Sequence, residues 1–110
     1  MSDITVADNP DRMRYELRTA DGEVAGSATY ARRGRSVVID HTTIRDAYEG
    51  RGYGSALARG ALDDIRARGL QVVPVCEFLA GWIDRNPDYA DLVDTALAEE
   101  YAAAAGGPPS

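Results

Sequence analysis

Residues Tyr48 to Leu57 read Tyr-Glu-Gly-Arg-Gly-Tyr-Gly-Ser-Ala-Leu, and this stretch organises the whole chain. It follows Val37 to Ile44, a run rich in β-branched residues, and it leads into a segment rich in alanine and leucine. The order predicts a strand, a glycine turn and a helix. Gly50, Gly52 and Gly54 allow positive φ angles and a close approach to the backbone.

A turn of this kind is typical of a phosphate-binding site. The free N–H groups at the start of the following helix converge on one point, and the positive end of the helix dipole lies behind them. A P-loop is excluded because the chain contains no lysine. The spacing also departs from the dinucleotide fingerprint, since the apolar segment Gln71 to Val75 stands where an acidic residue is needed. The pattern favours a nucleotide-like cofactor over a tight connection without a ligand.

The residues before the glycine turn predict three antiparallel strands. In the first strand the apolar residues alternate with charged ones, so it is expected to be half buried, with Glu16 on its polar face. Short glycine-containing turns separate the strands. The predicted strands and turns are Met13 to Leu17, Asp21-Gly22, Val24 to Tyr30, Arg33-Gly34 and Val37 to Ile44.

The residues after the turn predict a crossover helix and a fourth strand. Leu57, Ala61, Leu62 and Ile65 recur at helical spacing, and Gly69 is expected to end this helix. The short apolar run Val72 to Val75 then follows as a strand parallel to the third one, with a right-handed connection.

Two trailing helices complete the predicted fold. The apolar residues of the first are Phe78, Leu79, Trp82 and Ile83, and Asn86-Pro87 is expected to stop it. The second is predicted over Asp88 to Ala105, with Asp88 as its cap. The expected fold is therefore mixed α/β (α+β): three antiparallel strands, a crossover helix, a parallel strand and trailing helices. Residues 12–105 are expected to form a single domain, with a loose leader at 1–11 and a disordered tail at 106–110.

Composition narrows the classes of function. Apolar residues make up 45% and charged residues 27% of the 110 residues, as in ordinary globular proteins. A net charge of −6 argues against nucleic-acid binding and is compatible with a cationic amine substrate. One cysteine and one histidine exclude an internal disulfide and argue against a metal site. No apolar run has the length of a membrane span and no signal peptide is evident, so we expect a cytoplasmic protein without membrane contact.

The single histidine and the single cysteine are both predicted to lie beside the glycine turn. Ligands of open sheets bind beyond the carboxyl ends of the parallel strands, which here are His41 to Ile44 and Val75-Cys76. A thiolate at the start of a helix is a stabilised nucleophile, and His41 is a plausible base. The alternatives are that Cys76 is an inert buried residue and that His41 is a core residue on the face of Val37 and Ile39.

The segment from Val37 to Tyr89 resembles the GNAT superfamily of N-acetyltransferases, and in particular its short single-domain members. The resemblance rests on four motifs in the same order, which are Asp40-His41-Thr42, Glu49 to Ser55, Pro74-Val75-Cys76 and Asn86 to Tyr89. It implies acetyl-CoA as co-substrate and no metal. It also implies transfer of an acetyl group to a small-molecule amine by a monomer or a homodimer.

The resemblance assigns the glycine turn to the pyrophosphate of coenzyme A. Gly52 and Gly54 fill the glycine positions of the family turn, whereas Glu49 stands where the family has glutamine or arginine. Arg51 is expected to supply the missing positive charge. The cofactor-binding residues implied by the turn are Gly50, Arg51, Gly52, Tyr53, Gly54 and Ser55. The strand residues Thr42, Thr43 and Ile44 are implied to hold the pantetheine arm as an added strand would.

The catalytic residues of the family have no counterpart here. Thr43 replaces a glutamate base and Ile83 replaces a tyrosine acid, so Cys76 and His41 are predicted to assist catalysis instead. Cys76 is expected either to accept the acetyl group or to orient the amine. Because the usual acid and base are absent, a non-catalytic acyl-CoA-binding or regulatory module is the alternative, and a structural domain without a cofactor is a third hypothesis.

Overall fold

A computed structural model describes residues 4–106, which form one five-stranded sheet with helices on both faces. The strands are β1 (Thr5–Asn9), β2 (Arg14–Arg18), β3 (Val24–Arg33), β4 (Ser36–Ile44) and β5 (Gln71–Pro74). The helices are α1 (Tyr53–Ala67), α2 (Glu77–Arg85) and α3 (Thr95–Gly106), and 3₁₀ segments cover Asp46–Tyr48 and Pro87–Leu92. Among these residues, no helix has both the length and the apolar character that crossing a membrane requires.

The central prediction, a meander followed by a parallel crossover, is confirmed. The strands are ordered β1-β2-β3-β4-β5, with antiparallel pairs up to β4 and a parallel pair between β4 and β5. Helix α1 makes the crossover and buries Leu57, Leu62 and Ile65 completely against the sheet. It ends as predicted at Gly69, whose φ of 69° lets Leu70 N–H donate back to Ile65 C=O.

The predicted loose leader is wrong for residues 5–9. They form β1, which pairs with β2 in the register Val6↔Leu17 and packs on α1. Gly60 of α1 makes this approach possible, because a Cβ there would lie 2.6 Å from the Cβ of Val6. A short strand with polar residues carries little sequence signal of its own, since its partners supply most of its stability.

A polar clamp fixes β1 to its neighbours. The Tyr30 hydroxyl donates to Asp8 at 2.6 Å, and Arg68 at the end of α1 binds the other oxygen of Asp8 at 3.1 Å. Burial and the hydrogen bond to Asp8 raise the pKa of Tyr30 to about 12. The hydroxyl therefore remains a donor at neutral pH, and the clamp joins β1, β3 and α1.

The predicted third helix begins later than expected. Residues Pro87–Leu92 are a 3₁₀ segment, and Val93 then forms a parallel bridge with Val72. The cap is Asp94 instead of Asp88, because Leu97 N–H donates to the Asp94 carboxylate at 3.1 Å. Helix α3 also includes Gly106, which was assigned to the tail. Residues 1–3 of the predicted leader and 107–110 of the tail lie outside the described part of the chain.

Glu16 lies on the polar face of β2, as predicted, but it is only 3% exposed. Arg14 and Arg18 each bind its carboxylate at 2.7 Å, and Asn9 donates to it at 3.1 Å. Burial opposes the charge of Glu16, but the three hydrogen bonds outweigh it and hold the pKa of this carboxyl below its ordinary value of 4.5.

This lowered pKa predicts a loss of stability in acid. The stabilisation by Glu16 is complete above pH 4.5, the ordinary value, and disappears as the pH falls through the lower pKa of the folded state. Glu16→Gln should therefore lower the melting temperature at pH 7, and the difference from wild type should shrink below pH 4.5. Thermal melts from pH 7 to pH 3 measure this. The exposed Glu99→Gln is the control, and a difference independent of pH would contradict the assignment.

Candidate functional site

The glycine turn presents unpaired amides at the start of α1. Gly50 and Gly52 have φ angles of 80° and 76°, which L side chains rarely adopt. Gly52 is the N-cap of α1 and provides no side chain to cap the helix. The first bond of the helix runs from Ala56 N–H to Gly52 C=O at 3.2 Å. The amides of Tyr53, Gly54 and Ser55 therefore precede the helical ladder and can bind an anion.

Two adjoining clefts run along this turn. The first has a volume of about 320 Å³ and is lined by Ile44, Tyr48, Glu49, Gly50, Gly52, Tyr53 and Gly54. The second has a volume of about 200 Å³ and is lined by Thr42, Ile44, Glu49, Gly54 and Phe78. The shared residues connect the start of α1 with the end of β4. Most of the residues predicted for cofactor binding line these clefts.

The edge of β4 is open along the second cleft. The β4–β5 ladder ends at Ile39↔Pro74, while β4 continues to Ile44. Arg45 N–H donates to Ala25 C=O on β3 at 2.8 Å. Because antiparallel pairs alternate, the backbone groups of Thr42 and Ile44 point away from β3 and toward the open edge. An extended ligand could therefore bind there as an added strand.

An arginine–tyrosine cluster borders the turn. The Tyr48 ring stacks on the Tyr53 ring with centroids 5.9 Å apart. The guanidinium carbons of Arg45 and Arg51 lie 5.9 and 5.6 Å from the centroid of the Tyr48 ring. The Tyr48 hydroxyl donates to Glu23 at 2.6 Å, and this hydrogen bond raises the pKa of Tyr48. The cluster brings two positive charges close to the unpaired amides.

Cys76 adjoins the second cleft through its contact with Thr42. It is the N-cap of α2 and is half-buried. Its Sγ lies 3.3 Å from Oγ1 of Thr42, the residue of β4 that lines the cleft. Cys76 therefore lies close to the end of β4, as predicted, and its contact there is Thr42.

His41 is not on the predicted face of β4. The β3–β4 register passes from Thr29↔His41 to Tyr30↔Ile39, so Asp40 is the extra residue of a β-bulge. The bulge reverses the alternation beyond Ile39. His41 is exposed and does not share the buried face of Val37 and Ile39, so the core-histidine alternative is wrong. Among the described residues, those that line the two clefts do not include His41.

The remaining predicted residues have distinct positions. Thr43 is exposed, as is Arg51. Ser55 accepts a hydrogen bond from Trp82 Nε1 at 2.6 Å, which ties the start of α1 to α2. Ile83 is 5% exposed in the core and has no access to a ligand.

Phe78 was not predicted as a site residue. It is 40% exposed, and its ring lies so close to Gly54 that a Cβ there would be 3.0 Å from Cζ. The signal was present in the sequence, because Leu79, Trp82 and Ile83 define the buried face of α2 and leave Phe78 beside it.

Comparison with known proteins agrees with this geometry. Residues 14–92 match the family model of the GCN5-related N-acetyl-transferases. The chain belongs to this family. Its fold is similar to the solution NMR structure of a GCN5-like protein from Staphylococcus aureus, with a TM-score of 0.63 and 20% identity over 84% of this chain and 90% of that one.

Curated relatives from several vertebrates share the name Protein NATD1. The mouse protein is 28% identical over 85 residues, which cover 76% of this chain and 77% of that protein. The human protein is 36% identical over 53 residues, which cover 48% of this chain and 47% of that protein.

Proposed function

We propose that this protein transfers an acetyl group from acetyl-CoA to a small-molecule amine. The observation that carries the proposal is the open edge of β4, which leads from the uncapped start of α1 to Cys76. The unpaired amides suit a pyrophosphate, and the backbone of Thr42 and Ile44 suits the amides of a pantetheine arm. In this arrangement the thioester reaches the end of the cleft, beside Thr42 and Cys76.

The transfer needs few side chains. The ammonium group of the acceptor loses one proton, its nitrogen attacks the thioester carbonyl carbon, and a C–N bond forms as the C–S bond breaks. The amine nitrogen then loses a second proton, the CoA sulfur gains one, and one proton in total passes to solvent. In this direct transfer Cys76 orients the amine. In the alternative route the Cys76 sulfur takes the acetyl group from the thioester and CoA leaves as the thiol; the amine then attacks the acetyl-Cys76 carbonyl carbon, the C–S bond to Cys76 breaks, and the Cys76 thiol is restored.

A second candidate function is an acyl-CoA-binding or regulatory module without turnover. Two residues favour it. Ile83, which replaces the tyrosine acid of the family, is buried, and Thr43, which replaces the glutamate base, is exposed. Release of CoA with a panel of amines separates the two functions. Tight CoA binding with no release on any amine would favour the regulatory module, and no thermal shift with CoA would favour a structural domain.

The first prediction concerns the glycine turn. Acetyl-CoA at a hundred times its Kd should stabilise the wild-type protein by about 2.7 kcal/mol, seen as a rise in melting temperature. Gly52→Ala should reduce this rise, because the added methyl group points into open space where the phosphates approach. Gly34→Ala is the matched control, since Gly34 also has a positive φ and no neighbour at its Cβ position. If acetyl-CoA raised the melting temperatures of Gly52→Ala and Gly34→Ala equally, the cofactor would have to bind away from the glycine turn.

The second prediction concerns Glu49, an acidic residue that lines both clefts where the cofactor phosphates are proposed to bind. Glu49→Gln should tighten CoA binding by roughly two- to fivefold, because it removes a repulsive charge from an exposed position. The gain should shrink at high salt. Titration calorimetry at two salt concentrations measures it, with Glu99→Gln as a remote control for net charge. Weaker binding by Glu49→Gln would mean that this carboxylate contacts the ligand favourably.

The third prediction concerns Cys76. Cys76→Ser should retain the affinity for CoA and lose turnover, because an alkoxide is much harder to form than a thiolate. If Cys76 carries the acetyl group, incubation with acetyl-CoA alone should add the mass of one acetyl group to wild type and not to Cys76→Ser. The readout is clean because a chain without lysine has only Cys76 and its N-terminus as ready acceptors. Normal turnover by Cys76→Ala would reduce Cys76 to a packing role.

A further inference from the structure

A separate cavity lies on the other face of the sheet, between β5 and α3. Its volume is about 280 Å³, and its lining residues are Val73, Pro74, Val75, Ala98, Tyr101 and Ala102. The walls are mainly apolar, and the two alanines of α3 leave the space open. Its size is near the lower end of the range for small-molecule sites, about 300–1,000 Å³.

This cavity adjoins the gap between β4 and β5. Val75 lines the cavity, whereas Cys76 packs against the core on the α1 side and contacts Thr42 there. Ile39 C=O accepts N–H groups from both Val75 and Cys76, at 3.0 and 3.1 Å, where the two strands separate. A molecule held in the cavity therefore lies across this gap from the end of the cofactor cleft.

Acidic and basic groups on the cavity side of the sheet suit an amine. The Asp40 carboxylate accepts a hydrogen bond from the Thr29 hydroxyl at 2.7 Å. Ala28 is buried on the α1 side of the sheet, so the next residue of β3, Thr29, points to the opposite face. The Asp40 carboxylate bound to Thr29 lies on that face too, and so does His41, which pairs with Thr29. Asp40 can attract an ammonium group, and His41, on the same face after the bulge, can accept its proton.

We infer that this cavity binds the apolar body of the acceptor, which is a primary amine on an aromatic or branched aliphatic group. The inference rests on the proposed acetyl transfer and names its acceptor class. The amine nitrogen extends past Val75 to the gap, near Asp40 and His41, while the apolar body packs between Val73 and Ala102. Polyamines and amino sugars lack an apolar body that fits these walls.

The test uses the full chain and 2-phenylethylamine as probe, with spermidine as the comparison amine. Methyl NMR measures binding directly and needs no turnover. With CoA present, 2-phenylethylamine should shift the methyl signals of Val73, Val75 and Ala98, and spermidine should not. Ala98→Leu and Ala102→Leu each fill the cavity, so they should abolish the shifts. They should also lower kcat/KM for 2-phenylethylamine about tenfold or more. Ala103→Leu is the matched control, because Ala103 is exposed on the same helix and does not line the cavity.

Three results would overturn the inference. The first is that 2-phenylethylamine leaves the three methyl signals unmoved in wild type, and the second is that both filling variants behave like Ala103→Leu. The third is a dimer of wild type that Ala102→Leu disrupts, which would show that a second copy of the chain covers the cavity. Failure of the proposed function has a different signature: either CoA gives no thermal shift in any of these proteins, or the wild-type protein binds CoA and releases none from acetyl-CoA with any amine.

Discussion

The early separation of β4 and β5 is the constraint on which the rest of the site depends. Strand β5 has only four residues and ends at Pro74, which has no N–H to continue a ladder. Beyond that point, Ile39 C=O takes the amides of both Val75 and Cys76, and the chain turns directly into α2. Strand β4 therefore extends past its partner with an exposed edge. In most proteins such an edge is a liability for aggregation, but here the glycine turn and Phe78 border it and leave a cleft of about 200 Å³.

The bulge at Asp40 gives the two faces of this edge different chemistry. Without the extra residue, His41 would continue the face of Val37 and Ile39, and Thr42 would point away from Cys76. With it, Thr42 joins Cys76 on the α1 side, and the ionisable residues Asp40 and His41 lie on the opposite side. One inserted residue thus places the thiol of Cys76 and the ionisable pair Asp40 and His41 on opposite sides of the sheet.

The fold was largely predictable from sequence, because its strongest signals are local. The repeat of Leu57, Leu62 and Ile65 predicts both the existence and the buried face of α1, and Gly69 marks its end. β1 was not predicted because its packing depends on Gly60, a residue far along the chain that lets the strand approach α1. The start of α3 was misplaced because Asp88 and Asp94 are equally good caps by sequence. The bridge between Val93 and Val72 decides between them.

The site was less predictable than the fold, because a bulge leaves no mark in the residue pattern. The glycine turn and the open end of β4 follow from composition and strand order. The position of His41 requires the β3–β4 register, in which a shift by one residue exchanges the two faces of the strand. Cys76 and Thr42 are 34 positions apart, and only the geometry of the strand ends shows that they are partners.

The hydrogen bond between Trp82 and Ser55 has a consequence for the thermodynamics of ligand capture. It links the first turn of α1 to a buried residue of α2, the helix that begins beside Cys76. The two helices that border the cleft are therefore joined by a direct side-chain hydrogen bond, which restrains their relative movement. A long, flexible ligand loses much conformational freedom when it is immobilised, and a rigid receptor adds little ordering cost of its own. Preorganisation of this kind lowers the entropic cost of binding a flexible ligand along a cleft that is open to solvent.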